Sequence, residues 1–113
     1  LDSLIAAWRV GPAGKVTGLD FSDAMVRRAR SAAAEAGLGH VQFQRADAEQ
    51  LPLSDSSIDV ALANGIFNLN PARTAIFREL ARVVRQGGVV FAAELILRGP
   101  APAEPARLSD WFW

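Results

Sequence analysis

Short β-prone segments alternate with amphipathic segments along this chain, and glycine or proline separates most of them. The segments that predict strands span residues 16–19, 41–45, 58–63 and 89–97. The segments that predict helices span residues 2–10, 22–36 and 70–86. Strands that alternate with helices form a parallel sheet with right-handed crossovers, so the order of elements predicts an α/β fold of the Rossmann-like, doubly wound type.

Apolar residues recur at helical spacing in each of the three amphipathic segments. Ser22 is a predicted N-cap, and Asn70 is predicted to cap a helix that starts at Pro71 and ends at Gly87 and Gly88. The residues expected to face the core are Leu4, Ile5 and Trp8 in the first helix, Met25, Val26, Ala29, Ala32, Ala33 and Ala36 in the second, and Ile76, Phe77, Leu80, Val83 and Val84 in the third.

Length and composition exclude several functional classes. The 113 residues suffice for one domain, and twelve basic residues balance twelve acidic ones, which argues against nucleic-acid or membrane partners. With no cysteine and one histidine, the chain has neither a disulfide framework nor a thiolate or zinc site. We therefore expect a small-molecule or protein partner, no resident metal and a cytoplasmic location.

Polar residues stand where three of the predicted strands end. Asp20 and Asp47 follow the first two strands, and Asn64 follows the third. In open parallel sheets ligands bind beyond the carboxyl ends of the strands, where a carboxylate can accept hydrogen bonds from a ribose diol or an exocyclic amine. The alternative is that each aspartate only caps a turn.

Three blocks of sequence resemble class I S-adenosylmethionine-dependent methyltransferases, in the branch of arsenite methyltransferases and quinone-biosynthesis C-methyltransferases. They are GLDFSDAM from Gly18, DAEQLPLSDSSIDV from Asp47 and FRELARVVRQGG from Phe77. The resemblance implies S-adenosyl-L-methionine as cofactor. It also implies that Asp20 holds the ribose hydroxyls, Phe21 lies against adenine, Asp47 accepts from the adenine amine, Ala48 offers its N–H to the ring and Asn64 borders the methyl-donor cleft.

The chain departs from the family pattern in three places. The first strand with its Gly-rich loop and the C-terminal hairpin are absent, so we expect a truncated sheet and weak cofactor binding. The cysteines that bind arsenic in arsenite methyltransferases are absent too, and Gly65 stands after Asn64. We divide the chain into a partial methyltransferase-like domain, residues 1–97, and a Pro-rich tail, residues 98–113, with an aromatic end at Trp111, Phe112 and Trp113.

Two functions remain open at this stage. The chain is either a methyltransferase-like domain for a small-molecule acceptor, incomplete and weak or inactive alone, or a non-catalytic remnant of that fold that acts through self-association or protein binding. The absent first strand is the central strand of the family's sheet, so its neighbours would have unpaired backbone N–H and C=O groups. Several such groups destabilise a small domain, which favours a homodimer or a complementing segment. Catalytic residues are not identified; Glu94 is a secondary site candidate, and His40 is assigned to a surface turn.

Overall fold

The computed structural model describes residues 1–68, 70–96 and 98–100. Its elements in chain order are α1 (Asp2–Val10), β1 (Val16–Asp20), α2 (Asp23–Glu35), β2 (Val41–Arg45), β3 (Ile58–Asn64), α3 (Arg73–Val83) and β4 (Val84–Ala93). The predicted α/β fold with parallel strands is thereby confirmed.

The first half of the molecule, called here the β1–β2 half, consists of α1, β1, α2 and β2. β1 pairs with β2 in parallel, with Val16 opposite Val41 and Asp20 opposite Arg45. Its core is formed by Ala7, Ala33 and Val41, on which partly buried apolar side chains pack. Small alanines at these helix positions allow α1 and α2 to approach the two short strands closely.

The second half, called here the β3–β4 half, consists of β3, α3 and β4. β3 pairs with β4 in parallel, and the register shifts between Ile58 and Val60. Ala63, Phe67 and Ile76 form its core. The ring of Phe67 stacks on that of Phe77, with centroids 4.5 Å apart and planes 8° apart.

Within the described residues the four strands form two separate two-stranded sheets, and β1 does not pair with β3. The N–H of Val16 and the carbonyl of Asp20 make hydrogen bonds on the side of β1 that faces β2. Backbone groups of successive residues point to opposite sides of a strand, so those of Thr17 and Leu19 point away from β2. Direct pairing of β1 with β3, which would close the sheet within one chain, is therefore not observed among the described residues.

Several side chains lie differently from the sequence prediction. In α1, Ala7 is buried, whereas Ile5 and Trp8 are 49% and 73% exposed. Met25 and Phe77, predicted to face the core, are 50% and 58% exposed. Helical spacing predicted an apolar stripe along each helix, but the strands on which the helices pack are too short and too few to cover the full width of that stripe.

The exposed face of the β3–β4 half corrects another prediction. The nearly continuous apolar run at residues 58–63 predicts a strand buried on both faces, yet Val60 and Leu62 are 51% and 54% exposed. Their register partners Val89 and Phe91 are exposed as well, at 44% and 60%. Because α3 packs on the other face, this apolar face has no cover among the described residues.

The ends of α3 also differ from the prediction. Asn70 Oδ1 accepts from the N–H of Ala72 at 2.7 Å, and the helix begins at Arg73, not at Pro71. It ends at Val83, and the two glycines that were expected to end it lie within β4, which begins at Val84. The predicted strand at residues 89–97 thus starts earlier and ends at Ala93. Leu97 and residues 101–113, with the aromatic end of the tail, lie outside the described residues.

Candidate functional site

The start of α1 and the ends of the strands lie at one edge of the molecule. α1 leads into β1 through a turn of five residues, so the helix runs back along the strand. A Cβ built on Gly18 would lie 3.0 Å from Ser3 Oγ, which places the first turn of α1 beside the later part of β1. The side chain of Asn64, at the end of β3, reaches the same turn. Asp20 and Asn64 therefore lie at the same edge as the N-terminus of α1.

Asp20 is half-buried at the end of β1, and it uses only part of its hydrogen-bonding capacity. Its Oδ1 accepts from the N–H of Ser22 at 2.9 Å, and its carbonyl accepts from Ala46 N–H at 3.0 Å. The residues that the structure describes donate no hydrogen bond to Oδ2. The carboxylate therefore shapes the turn before α2 with one oxygen, and its other oxygen remains able to accept a hydrogen bond.

The ring of Phe21 follows directly and is 73% exposed. Its backbone is held, because its carbonyl accepts from Arg45 Nε at 3.0 Å. This contact ties the end of β2 to the end of β1. An exposed ring on a fixed backbone offers an apolar surface for a flat ligand.

Asp47 and Ala48 form the turn after β2. The Asp47 carbonyl accepts from Gln50 N–H at 3.1 Å, while its carboxylate is exposed and makes no hydrogen bond with the described residues. Ala48 is half-buried and packs on the core of the β3–β4 half. The Asp47 side chain is thus free to bind, on a turn anchored by its neighbour.

Asn64 contacts a residue that sequence reasoning missed. Its Nδ2 donates to Asp2 Oδ2 at 3.0 Å, which joins the start of α1 to the end of β3. A topological signal for Asp2 was present in the sequence, since a helix that precedes a parallel strand begins near the strand's carboxyl end.

A second missed feature is an ion-pair network that holds the loop before β3. Arg82 bonds both carboxylate oxygens of Glu79 at 2.7 and 2.8 Å, and it donates to the Leu53 carbonyl at 2.8 Å and to Asp55 Oδ1 at 2.7 Å. Glu79 Oε2 also accepts from the N–H of Leu51 at 2.7 Å. The Arg82 hydrogen bonds, followed by that of Leu51, lower the pKa of Glu79 to about 2. Both oxygens of Glu79 are taken by these bonds, and the contacts with Leu51, Leu53 and Asp55 hold the loop against α3.

Glu94 and His40 also have structural partners. Glu94 Oε1 accepts from Phe67 N–H at 2.8 Å, and Oε2 accepts from Asn68 N–H at 3.4 Å, so this carboxylate holds the turn after β3. His40 is half-buried rather than a plain surface residue, and its Nε2 lies 2.6 Å from the Ala7 carbonyl. Because a carbonyl only accepts, Nε2 is the donor there.

No group of three or more metal-ligating side chains occurs in residues 1–68, 70–96 and 98–100. In the same ranges, no helix has both the length and the apolar character that a membrane crossing requires.

The chain is similar in sequence to several known proteins. The sequence profile of the family described as "Methyltransferase domain" matches residues 2–111. An arsenite methyltransferase of Halobacterium salinarum is 34% identical over 101 residues, which cover 89% of this chain and 26% of that protein. A demethylmenaquinone methyltransferase of Listeria monocytogenes is 39% identical over 87 residues, which cover 76% of this chain and 36% of that protein.

Solved structures show the same fold. A SAM-dependent methyltransferase from Aquifex aeolicus superposes with a TM-score of 0.76 at 23% identity, covering 87% of this chain and 53% of that one. The chain spans about a quarter to a third of the length of the two curated relatives. The family profile, the relatives and the parallel α/β architecture agree with the resemblance found in the sequence, and the chain belongs to the methyltransferase domain family.

Proposed function

We propose that this chain is the adenosine-binding part of an S-adenosylmethionine-dependent methyltransferase that acts on a small-molecule acceptor. The single observation that carries the proposal is the pair of strand-end carboxylates, Asp20 and Asp47, whose side chains retain unused acceptor oxygens beside the exposed Phe21 ring. Glu79 and Glu94, by contrast, accept from their partners through both carboxylate oxygens. The residues present thus fit a ligand with two hydroxyls, an amine and a flat ring.

Each residue has a distinct role in this proposal. Asp20 Oδ2 accepts from the ribose hydroxyls, Phe21 covers one face of adenine and Asp47 accepts from the adenine amine. Ala48 donates its N–H to the ring, and Asn64 borders the methyl-donor cleft. When bound, the cofactor supplies an electrophilic methyl group on a sulfonium. The chain itself contributes positioning, and an acceptor that is soft or already ionised needs no general base from it.

Isothermal titration with S-adenosylhomocysteine tests this proposal. We expect a dissociation constant in the high-micromolar range or weaker, because the 113 residues contain no Gly-rich loop to contact the amino-acid half. Asp20→Ala should weaken binding more than the control Asp59→Ala, since Asp59 pairs with Arg85 at 2.6 Å away from the site. A sub-micromolar constant, or equal effects of the two variants, would contradict the proposal.

The acceptor is proposed to be other than arsenite. The arsenite methyltransferase relative suggests that substrate, but arsenic binds to thiolates, and the 113 residues contain no cysteine. Incubation of the chain with arsenite, a thiol and labelled methyl donor should give no methylated arsenic above the protein-free control. Methylated arsenic above that control would show that arsenite is an acceptor.

We further propose that the chain associates, as a homodimer or with a complementing segment. The outward edge of β1 and the exposed apolar face of the β3–β4 half support this, since both are surfaces that isolated monomers seldom leave open. The same surfaces favour the second candidate function, a non-catalytic fold that binds proteins. Sedimentation at tens of micromolar should give about twice the 12.1 kDa chain mass. A mass near 12.1 kDa with cooperative unfolding would contradict self-association.

A cytoplasmic location is part of the proposal. The cysteine-free composition supports it, because such a chain gains nothing from an oxidising compartment. Cell fractionation with an antibody against the chain should find it with cytoplasmic markers, and recovery with secreted proteins would contradict this.

A further inference from the structure

Four exposed apolar side chains lie together on the face of the β3–β4 half that is opposite α3. This surface, called here the β3–β4 patch, consists of Val60 and Leu62 with their register partners Val89 and Phe91. Paired strands lie about 4.8 Å apart, so the four side chains are neighbours on one surface. Single exposed apolar side chains are ordinary, whereas a continuous patch marks an interaction surface.

The tail contains an apolar segment that matches this surface. Its aromatic end, residues 111–113, consists of two tryptophans and a phenylalanine, the side chains that bury the most apolar area. Pro102 and Pro105 precede it and have no N–H to donate to a neighbouring strand. The sequence of the tail therefore favours docking through side chains on a sheet face over pairing along a strand edge.

The chain is long enough for the aromatic end to reach the patch. Nine residues lead from Phe91 to Pro100, the last described residue, so the two lie at most about 32 Å apart. Eleven residues lead from Pro100 to Trp111, and a proline-rich segment of that length extends over about 34 Å. The aromatic end can therefore return to Phe91 wherever Pro100 lies.

A segment of the same chain has an advantage over a separate molecule as the occupant of the patch. A short tether gives the linked segment an effective concentration on the order of millimolar, which a second copy at micromolar concentration does not match. We propose that the aromatic end of the tail docks on the β3–β4 patch of its own chain. The association proposed above then rests on the outward edge of β1, which lies in the other half.

Tryptophan fluorescence measures this docking. The chain has three tryptophans and no tyrosine, and Trp8 is exposed in α1. In a Trp8→Phe chain the emission therefore comes from the two tryptophans of the tail. We expect an emission maximum at a shorter wavelength than that of the same chain in urea, because docked indole rings are removed from water. Equal maxima in buffer and in urea would overturn the proposal.

Two serine substitutions in the Trp8→Phe chain locate the docking surface. Phe91→Ser removes the aromatic side chain of the patch and should move the emission maximum most of the way to its value in urea. Ile5→Ser is the matched control and should leave it unchanged, because Ile5 is also an exposed apolar side chain but lies in α1. Equal shifts for the two variants, or a shift for Ile5→Ser alone, would place the aromatic end elsewhere and overturn the proposal.

A variant of the tail keeps the test decisive if Phe91→Ser fails to fold. The triple substitution Trp111→Ser, Phe112→Ser and Trp113→Ser changes none of the described residues. It should alter the backbone amide shifts of β3 and β4 and lower the melting temperature by about 4–8 °C. Unchanged shifts in both strands would contradict docking on the patch.

Mixing two variants distinguishes docking within one chain from exchange between two copies. The first carries Trp8→Phe and Phe91→Ser, so its tail tryptophans have no intact patch of their own. The second combines Trp8→Phe with the triple tail substitution, so it has an intact patch and no tryptophan. With each at tens of micromolar, we expect the emission maximum of the first to stay where it is. A shift to shorter wavelength would show that the tail docks on a second copy, and docking within one chain would be wrong.

Discussion

The β1–β2 half and the β3–β4 half differ in how their carboxylates are used. In the β1–β2 half, Asp20 bonds one backbone N–H and Asp47 makes no side-chain hydrogen bond among the described residues. In the β3–β4 half, Glu79 is shared between Arg82 and Leu51, and Glu94 accepts from two backbone N–H groups. Among the described residues, Asp20 and Asp47 thus keep oxygens without a hydrogen bond, whereas Glu79 and Glu94 hold loops with theirs.

The exposed edges of the strands differ in a related way. On the outer edge of β2, Arg30 donates to the Phe43 carbonyl from Nε at 3.2 Å and from Nη2 at 2.7 Å. Such a charged cover discourages pairing with another strand. The described residues place no comparable side-chain hydrogen bond on the outward groups of β1 at Thr17 and Leu19. The contrast identifies the edge of β1 as the surface open to a further strand.

The largest expected effect is on the core of the β3–β4 half. Ile76 is 1% exposed, so Ile76→Ala should lower the free energy of unfolding by about 2–5 kcal/mol. Ile5→Ala, at a side chain 49% exposed, is the control and should cost less than about 1 kcal/mol. Urea unfolding measures both. Amide exchange would then show whether the loss of stability is confined to the β3–β4 half. Equal changes in the free energy of unfolding for the two variants would contradict the difference in burial between Ile76 and Ile5.

A smaller effect is expected in the β1–β2 half at Gly18. A Cβ there would collide with the Phe43 ring and lie 3.0 Å from Ser3 Oγ, so Gly18→Ala should destabilise by about 1–3 kcal/mol. Gly39→Ala meets nothing within 4 Å and serves as the control. Thermal unfolding of the two variants compares them directly. An unchanged melting temperature for Gly18→Ala would mean that β1, β2 and α1 are packed less closely than described.

The smallest effect concerns acid stability. The Arg82 hydrogen bonds lower the pKa of Glu79 from 4.5 to about 2, so the carboxylate's stabilisation is complete above about pH 4.5 and is lost as the pH falls toward 2. Glu79→Gln should flatten the fall in melting temperature across that window. The control Glu35→Gln, at an exposed site at the end of α2, should leave it unchanged. Identical profiles for unmodified chain and Glu79→Gln would exclude this role.

Local sequence signals predicted the elements well where local contacts determine them. α1 matches residues 2–10 and β2 matches residues 41–45, because their boundaries follow from glycine and from strict alternation. Ser22 is the N-cap of α2 as predicted, and its side chain accepts from Met25 N–H at 3.3 Å. A cap depends on three or four neighbouring residues, so sequence alone suffices.

Features that depend on distant segments could not be predicted. Arg82 and Glu79 meet Leu51, Leu53 and Asp55 across 27 to 31 residues of chain, and no periodic pattern encodes that contact. The start of α3 was displaced because Asn70 bonds Ala72 in a turn instead of capping the helix. Exposure of Trp8 and Leu62 follows from how much surface the neighbouring elements cover, which periodicity does not report.

If the ends of β1 and β2 bind the adenosine half of the cofactor, as proposed, backbone amide shift mapping should locate the ligand there. On titration with S-adenosylhomocysteine, the largest shift changes are expected at Phe21, Ser22, Asp47 and Ala48, next to the acceptors that the structure leaves free. The loops held by Arg82 and Glu94 should change little. Largest changes in those loops, or no change at the ends of β1 and β2, would contradict the claim.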